Sequence, residues 1–321
     1  MKTAQSIPIF LASDDNYAPF VATTIYSILE NTNHNIDFYV LDGGITNTSK
    51  QLIEASLSVF PHKNIKYFDM QKYGLERFPN IKHYSLNAFS RYFIPELAKD
   101  LQKVIYLDVD IIVKGDIADL YQQDLEGYPL AAVLEDFYAG NYQTLKEKIY
   151  PAYQGEDKYF NTGVMVMDLE KFRDSNISQQ AVEKTIELYD KLNCPDQDIF
   201  NIIFENNFKI LDYKYNFMPD HLEFLQTKHP EIKSVEPVII HYTGQKPWKS
   251  YGRCTMDFMR VLQKTMFREI VAKRFAQGQN SKNKTIYLFN LLPLYKIKRK
   301  NNVTRHYLCG FIPLLKIKKL T

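Results

Sequence analysis

Lys103-Val104-Ile105-Tyr106-Leu107-Asp108-Val109-Asp110-Ile111-Ile112-Val113 is an apolar run interrupted by two carboxylates, and its reading decides the fold. A segment so rich in Val, Ile and Leu reads as a strand buried on both faces, as in a parallel sheet. An ionised carboxylate inside such a strand is costly without a compensating partner. Positions i and i+2 of a regular strand share a face, so Asp108 and Asp110 are expected to aim at one point where the strand leaves the sheet. A hard divalent cation would neutralise them there and keep positions open for phosphate oxygens. Asp-x-Asp alone is a weak signal, since about one occurs by accident in a chain of this length. Asp196-Gln197-Asp198 is a second instance; the exit of a hydrophobic strand is what sets the first apart.

Outward from this run the chain alternates strands and helices. Ile7 to Ala12 reads as a first buried strand, ending in Ser13-Asp14-Asp15-Asn16-Tyr17, and Pro19 opens a helix with Phe20, Val21, Ile25, Ile28 and Leu29 at helical spacing. Strands follow at Ile36 to Leu41 and Asn64 to Met70, around a helix from Thr46 to Phe60. A helix from Ser85 to Leu97 carries Arg91 into the central strand. Beyond it come a strand Leu130 to Leu134 ending in Glu135-Asp136, and a strand Phe160 to Met167 that begins with the step Asn161-Thr162-Gly163. A helix Ser178 to Leu192 and a last strand Val235 to His241 complete the pattern. It predicts an α/β fold, a single Rossmann-like domain around a mostly parallel sheet, with ligands bound beyond the carboxyl ends of its strands.

No G-x-G-x-x-G follows the first strand, so a nucleotide would have to use Asp14, Asn16 and Tyr17. Asp-Asp-Asn is equally a turn and helix-cap composition. Asp196 opens a helix, where the dipole alone favours a carboxylate, but that leaves Gln197 unexplained. His241 runs into Tyr242-Thr243-Gly244-Gln245-Lys246-Pro247-Trp248, which holds the one Trp of the chain.

At 321 residues, 45% hydrophobic and 24% charged, the chain fits a globular protein of one large or two small domains. Met1 to Ile7 does not resemble a signal peptide, and no stretch approaches the ~20 apolar residues of a membrane-spanning helix. Cys194, Cys254 and Cys309 are odd in number and far apart, which fits a reducing, cytoplasmic compartment rather than a disulfide framework. Of 40 basic residues, 12 lie after Glu269, where there is no Asp or Glu; residues 1–269 keep 28 basic against all 37 acidic groups, a net of −9. An acidic body with a basic tail argues against nucleic acid as a partner.

Together these motifs resemble glycosyltransferase family 8, the retaining nucleotide-sugar transferases that include bacterial lipooligosaccharide galactosyl- and glucosyltransferases and, more distantly, glycogenin. The likeness covers about residues 7 to 260, with six motifs in the family's order: Ala12-Ser13-Asp14-Asp15-Asn16-Tyr17, Ser90-Arg91, Tyr106 to Asp110, Phe160 to Gly163, Asp196-Gln197-Asp198 and His241 to Trp248. The resemblance implies a GT-A fold in which Asp108, Asp110 and His241 hold Mn²⁺, or Mg²⁺ in its place. It puts the uridine of UDP-galactose or UDP-glucose against Ala12, Asp14, Asn16 and Tyr17, and counts Val109, with Asp108 and Asp110 beside it, among the nucleotide-sugar-binding residues. Arg91, Gly244 and Lys246 would face the diphosphate and the sugar. Asn161, Asp196 and Gln197 would surround the sugar, with Gln197 closest to the reacting face and Asp196 a possible nucleophile. Glu135 stands where the family usually has an Asp, which departs from its pattern at a donor-sugar contact.

The implied reaction moves a hexose to a glycan or lipid-linked acceptor, as in lipopolysaccharide or surface polysaccharide biosynthesis. A metal-dependent nucleotide-sugar phosphohydrolase, with Asp196 or Glu135 as base, is the competing reading. The sequence divides into a catalytic domain, 1–265, and a basic, aromatic-rich region, 266–321. In the latter, Tyr287 to Lys298 matches Tyr307 to Lys318 at an offset of 20, each unit joining an aromatic-apolar patch to a Lys-x-Lys cluster. That composition suits an anionic membrane interface, peripheral on the inner face of the membrane. Two helices or strands packed on the body or on a partner are the alternative.

Overall fold

The computed structural model describes residues 6–318 apart from 80–84, 136–142, 156–157, 229, 251, 273–282, 289–291, 301–302 and 309–311. Asp136 and the hairpin tips of the tail therefore lie outside the described residues.

A seven-stranded sheet has the order β3-β2-β1-β4-β7-β6-β8. Its strands are β1 (Ile7–Ser13), β2 (Ile36–Asp42), β3 (Lys63–Asp69), β4 (Lys103–Leu107), β6 (Leu130–Leu134), β7 (Phe160–Asp168) and β8 (Lys209–Ile210). β7 runs antiparallel to both neighbours, and the other pairings are parallel. The period-two alternation fills both faces. Ile9, Leu11, Ile105 and Leu107 join one core with helix α1 (Ala18–Glu30), while Phe10, Val104 and Tyr106 join a second core on the opposite face. Because β7 is reversed, its first residues lie at the same sheet edge as the ends of β1, β4 and β6, which is the edge expected to bind ligand.

The decisive run differs from its sequence reading in one respect. Lys103 to Val113 is not one strand: β4 ends at Leu107, the chain turns through Asp108-Val109-Asp110, and β5 (Ile111–Val113) pairs in a separate two-stranded sheet with β9 (Ile239–His241). Polar atoms of α1 hold this step. The Thr24 hydroxyl lies 3.0 Å from the Val109 carbonyl and 2.9 Å from that of Ile111, and the Ser27 hydroxyl accepts from the Val113 N–H at 2.9 Å. A buried carbonyl freed by a broken ladder needs such a donor.

Other elements are shorter than the sequence pattern predicts, for local physical reasons. Within Ser85 to Leu97 the chain is a 3₁₀ helix, Leu86–Phe93, followed by one α turn, α3 (Ile94–Leu97). Pro95 has no N–H to give the Arg91 carbonyl, and the Ile94 N–H takes it instead. The last strand keeps only Ile239–His241, since Pro237 removes a ladder donor. Helix α2 (Asn47–Ser56) ends before Phe60, with the Thr46 side chain capping its start, and the helix expected over Ser178 to Leu192 is Ile177–Leu188.

The tail forms strands. β10 (Asn283–Leu288), β11 (Leu292–Lys300), β12 (Val303–Leu308) and β13 (Ile312–Lys318) make an antiparallel four-stranded sheet. Each repeat is one hairpin, and the offset of 20 carries into the register: Tyr287 pairs with Pro293 and Tyr307 with Pro313, and each hairpin has an irregularity just before that tyrosine. Directly opposed residues share a face. By register, Lys296, Lys298, Lys300, Arg305, Lys316 and Lys318 fall on one face with Val303 and Tyr307, and Ile286, Tyr295, Ile297, Leu308, Leu315 and Ile317 fall on the other with Lys284, Arg299 and His306. No helix among the described residues is long and apolar enough to cross a membrane.

Thr24→Val keeps the shape of α1 but takes the donor from two buried carbonyls. Urea unfolding should show a loss of about 1–3 kcal/mol, with an unchanged m-value.

Candidate active site

The pairing of β5 with β9 sets Ile111 opposite His241, which brings the last strand of the body onto the mid-chain carboxylates. Ligand atoms of Asp108, Asp110 and His241 all lie within 4.8 Å of one another. His241 Nε2 is 3.8 Å from Asp108 Oδ2 and 3.3 Å from Asp110 Oδ1. The other oxygen of each carboxylate is already engaged. Asp108 Oδ1 accepts from Arg91 Nη2 and from the Tyr106 hydroxyl, both at 2.9 Å, and Asp110 Oδ2 accepts from the Lys246 ammonium.

This outer pairing leaves inner faces that suit a cation. Two carboxylate oxygens and an imidazole nitrogen form a donor set that fits a divalent cation. Gly163, at the start of β7, forms the floor. A Cβ added there would lie 2.2 Å from His241 Cε1 and 2.7 Å from Asp108 Oδ2, so only glycine leaves room for His241 and Asp108 together. Burial tends to raise the Asp110 carboxyl, but the Lys246 ammonium and His241 outweigh it and hold the group below the usual carboxylate range.

The sugar-side residues expected from sequence stand on the adjoining wall. Arg91 is buried, lies 4.4 Å from the Tyr106 ring centroid and spans two carboxylates, with Nη1 2.8 Å from Asp196 Oδ2. Burial works against its charge, and Asp196, Tyr106 and Asp108 more than restore it. Asp196 also accepts from the Thr162 hydroxyl at 3.1 Å, and burial raises its carboxyl despite Arg91. Gln197 Nε2 donates to Glu135 at 2.7 Å and its Oε1 accepts from Asn161 Nδ2 at 3.0 Å, so Glu135, Asn161 and Gln197 form one cluster. Burial pushes the Glu135 carboxyl up.

The cluster at the end of β1 is placed beside the His241 to Trp248 loop. Tyr17 meets Trp248 edge to face at 5.9 Å, and Trp248 stacks on Phe20 at 3.7 Å. Asp14 takes the turn-capping role in part: its Oδ1 accepts from the N–H groups of Asn16 and Tyr17 at 2.9 and 3.2 Å. Ala12 and Asn16 sit at the same strand end. Gly244 is fixed by close approach, since an added Cβ would lie 2.5 Å from Asp220 Oδ2, the oxygen that accepts from the Gln245 N–H. Lys246 also donates to the Tyr242 carbonyl at 2.5 Å. Sequence reasoning gave no role to Tyr106 and Thr162, although both lie inside quoted motifs, and it missed Asn216 and Asp220, which sit in no pattern that marks them. His241 Nδ1 meets Asn216 Oδ1 at 2.9 Å.

A nucleotide-type α/β sheet with an Asp-Asp-His cluster at its ligand edge defines a GT-A glycosyltransferase fold. The Glycosyl transferase family 8 model matches residues 8–252, and the chain belongs to that family. Among its relatives, glycosyltransferase GlyF of Streptococcus pneumoniae is 32% identical over 76% of this chain, which spans 58% of GlyF. Lipopolysaccharide 1,2-glucosyltransferase of Escherichia coli is 28% identical over 78% of this chain and 75% of its own. The crystal structure of galactosyltransferase LgtC, in complex with donor and acceptor sugar analogs, superposes with a TM-score of 0.68 at 28% identity, covering 81% of this chain and 96% of that one.

Asp198, the last residue of the Asp-Gln-Asp motif, is a helix support. It is buried and accepts from the Tyr159 hydroxyl at 2.6 Å and from the N–H groups of Asn193 and Cys194. Burial raises its carboxyl to about 6. The folded form thus binds a proton more tightly than the unfolded chain, so this contribution is complete below about pH 4 and is lost as pH rises through about 6. Chemical denaturation between pH 4 and 6 should show stability falling with pH, and Asp198→Asn should flatten that slope.

Proposed function

We propose that this protein is a Mn²⁺-dependent retaining hexosyltransferase that moves galactose or glucose from its UDP-sugar to a glycan or lipid-linked acceptor. The observation that carries this reading is the convergence of Asp108, Asp110 and His241 at the sheet's ligand edge, with Arg91 and Lys246 on their outer oxygens. Breaking the sugar–phosphate bond leaves negative charge on UDP. Bound there, the metal would supply Lewis-acid stabilisation of that charge. Lys246 and Arg91 add positive charge at the same place and act electrostatically. Ala12, Asp14, Asn16 and Tyr17 would take the uridine, and Val109 lines the turn between the ligands. Gly244, whose missing Cβ makes room for Asp220, would face the diphosphate together with Arg91 and Lys246.

Glu135, Asn161, Asp196 and Gln197 would surround the sugar. A double displacement needs a carboxylate nucleophile, and Asp196 is tied to Arg91 and Thr162. That engagement favours a front-side route, in which the departing phosphate oxygen takes the acceptor's proton. The relative in Escherichia coli acts on lipopolysaccharide by its name, which supports a related surface glycan as acceptor here. Residues 1–265 would form the catalytic domain and 266–321 a membrane-associating region. The six cations on one face of its sheet are arranged to meet an anionic bilayer at the inner face of the membrane, each adding about 1 kcal/mol.

Release of UDP from UDP-galactose and UDP-glucose with Mn²⁺ tests the transfer. Release that depends on added glycan acceptor is expected; fast release without acceptor would identify a phosphohydrolase instead. Asp110→Ala should lower turnover by about 10²–10³-fold or more while the circular-dichroism spectrum is kept, and retained activity would remove the metal site. Deletion of 280–321 should abolish co-sedimentation with phosphatidylglycerol vesicles and spare turnover on soluble acceptors. Undiminished sedimentation would rule out the membrane role.

A further inference from the structure

Asn216 lies outside the helices and strands, between the 3₁₀ turn Tyr213–Tyr215 and the bridge of Phe217 to Ile240, and it is fully buried. It links two parts of the site that the sequence keeps far apart, the His241 imidazole and the Asn161 amide. Peptide N–H groups, which can only donate, fix the direction of every bond in this link. The Gly163 N–H meets Asn161 at 2.9 Å, so that atom is Oδ1. The Thr162 N–H meets Gln197 at 3.2 Å, so that atom is Oε1. Both amide nitrogens then face Glu135 Oε2, at 3.0 Å from Asn161 and 2.7 Å from Gln197.

With Asn161 Oδ1 an acceptor, the Asn216 atom 2.9 Å from it must be Nδ2. Asn216 Oδ1 then faces His241 Nδ1 at 2.9 Å, so Nδ1 carries the proton. Nε2 keeps its lone pair for the side where Asp108 and Asp110 stand. Flipping the Asn216 amide would set its Oδ1 against Asn161 Oδ1, two acceptors with no proton between them, so it is the Asn161 end that fixes the amide. A carboxylate in this place would have no such polarity.

We infer that Asn216 is a positioning residue, which selects the His241 tautomer able to bind a cation and couples that ligand to the sugar side through Asn161. The inference rests on the reading of Asp108, Asp110 and His241 as cation ligands. A ligating imidazole ordinarily donates its other N–H to an oxygen, and loss of that partner weakens metal binding by about 10–100-fold. In this chain the oxygen belongs to an amide whose own orientation is dictated by the Gly163 peptide.

Free Mn²⁺ measured by electron paramagnetic resonance gives the affinity of the wild-type chain, Asn216→Ala and Asn216→Asp. Asn216→Ala should bind Mn²⁺ about 10–100-fold more weakly. Asn216→Asp keeps an oxygen for Nδ1–H and should stay close to wild type in Mn²⁺ affinity, while losing the donor to Asn161 and raising KM for the UDP-sugar. Long-range ¹H–¹⁵N spectra of the metal-free wild type, at a pH where imidazoles are neutral and with His241→Asn for assignment, should show the proton on Nδ1. A proton on Nε2, wild-type affinity in Asn216→Ala, or equal weakening in both variants would overturn the inference. If the wild type itself bound no Mn²⁺, the cation reading would fall, and the nitrogen spectra would still decide the tautomer. They also decide it if Asn216→Ala fails to fold.

Discussion

Two carboxylates and an imidazole crowd one point at the ligand edge of the sheet, and most local features of this chain follow from keeping them there. Taking charged groups out of water costs several kcal/mol per ion unless partners compensate. Arg91 and Lys246 compensate from the outside, each on the oxygen that points away from His241. The inner oxygens therefore stay available to a cation without leaving the carboxylates unpaired. Around this arrangement β4 must stop at Leu107, α1 must carry Thr24 and Ser27 in its buried face, and Gly163 must lack a Cβ. Each is a polar or steric cost accepted in a region that apolar packing would otherwise fill.

Hydrophobic periodicity made the scaffold legible. The alternation of Ile9, Leu11, Ile105 and Leu107 with Phe10, Val104 and Tyr106 is the two-faced core itself, read directly from the sequence. What the pattern hid was the break after Leu107, because Ile111-Ile112-Val113 is as apolar as Lys103 to Leu107 and a continuous run looks like one strand. The break depends on a donor in another element, Thr24, and on β9, more than a hundred residues later. Regular i, i+2 geometry was therefore a wrong route to a correct expectation: the carboxylates converge because the chain turns, and His241 joins them through the β5–β9 pairing.

The side-chain amides were the least legible part. Glu135, Asn161 and Gln197 could be singled out one by one from the resemblance, but their mutual bonds depend on a reversed β7 presenting Asn161-Thr162-Gly163 to the Pro195–Phe204 helix. Asn216 had no signal, since a buried polar residue in an irregular segment has no period to betray it. Such residues become visible only when donors and acceptors are counted atom by atom. Glu135, one methylene longer than the Asp expected from the family, touches both Asn161 and Gln197. Its length is thus matched to the cluster it supports, which makes the departure a property of the wall as a whole.

The tail shows the opposite balance. Its 20-residue repeat is plain in the sequence, and its composition alone suits helices as well as strands. Lys296-Ile297-Lys298 and Lys316-Ile317-Lys318 alternate with period two, and that alternation is what a two-sided sheet requires. Because the register of one hairpin reproduces that of the other, the Lys-x-Lys cations of both units fall on one face and Ile297 and Ile317 on the other. The segregation is partial: one face is dense in positive charge, and the other mixes aliphatic residues with Lys284, Arg299 and His306. Residues 1–269, with a net charge of −9, thus precede a sheet with one face dense in positive charge, so the two parts of the chain carry opposite electrostatic character.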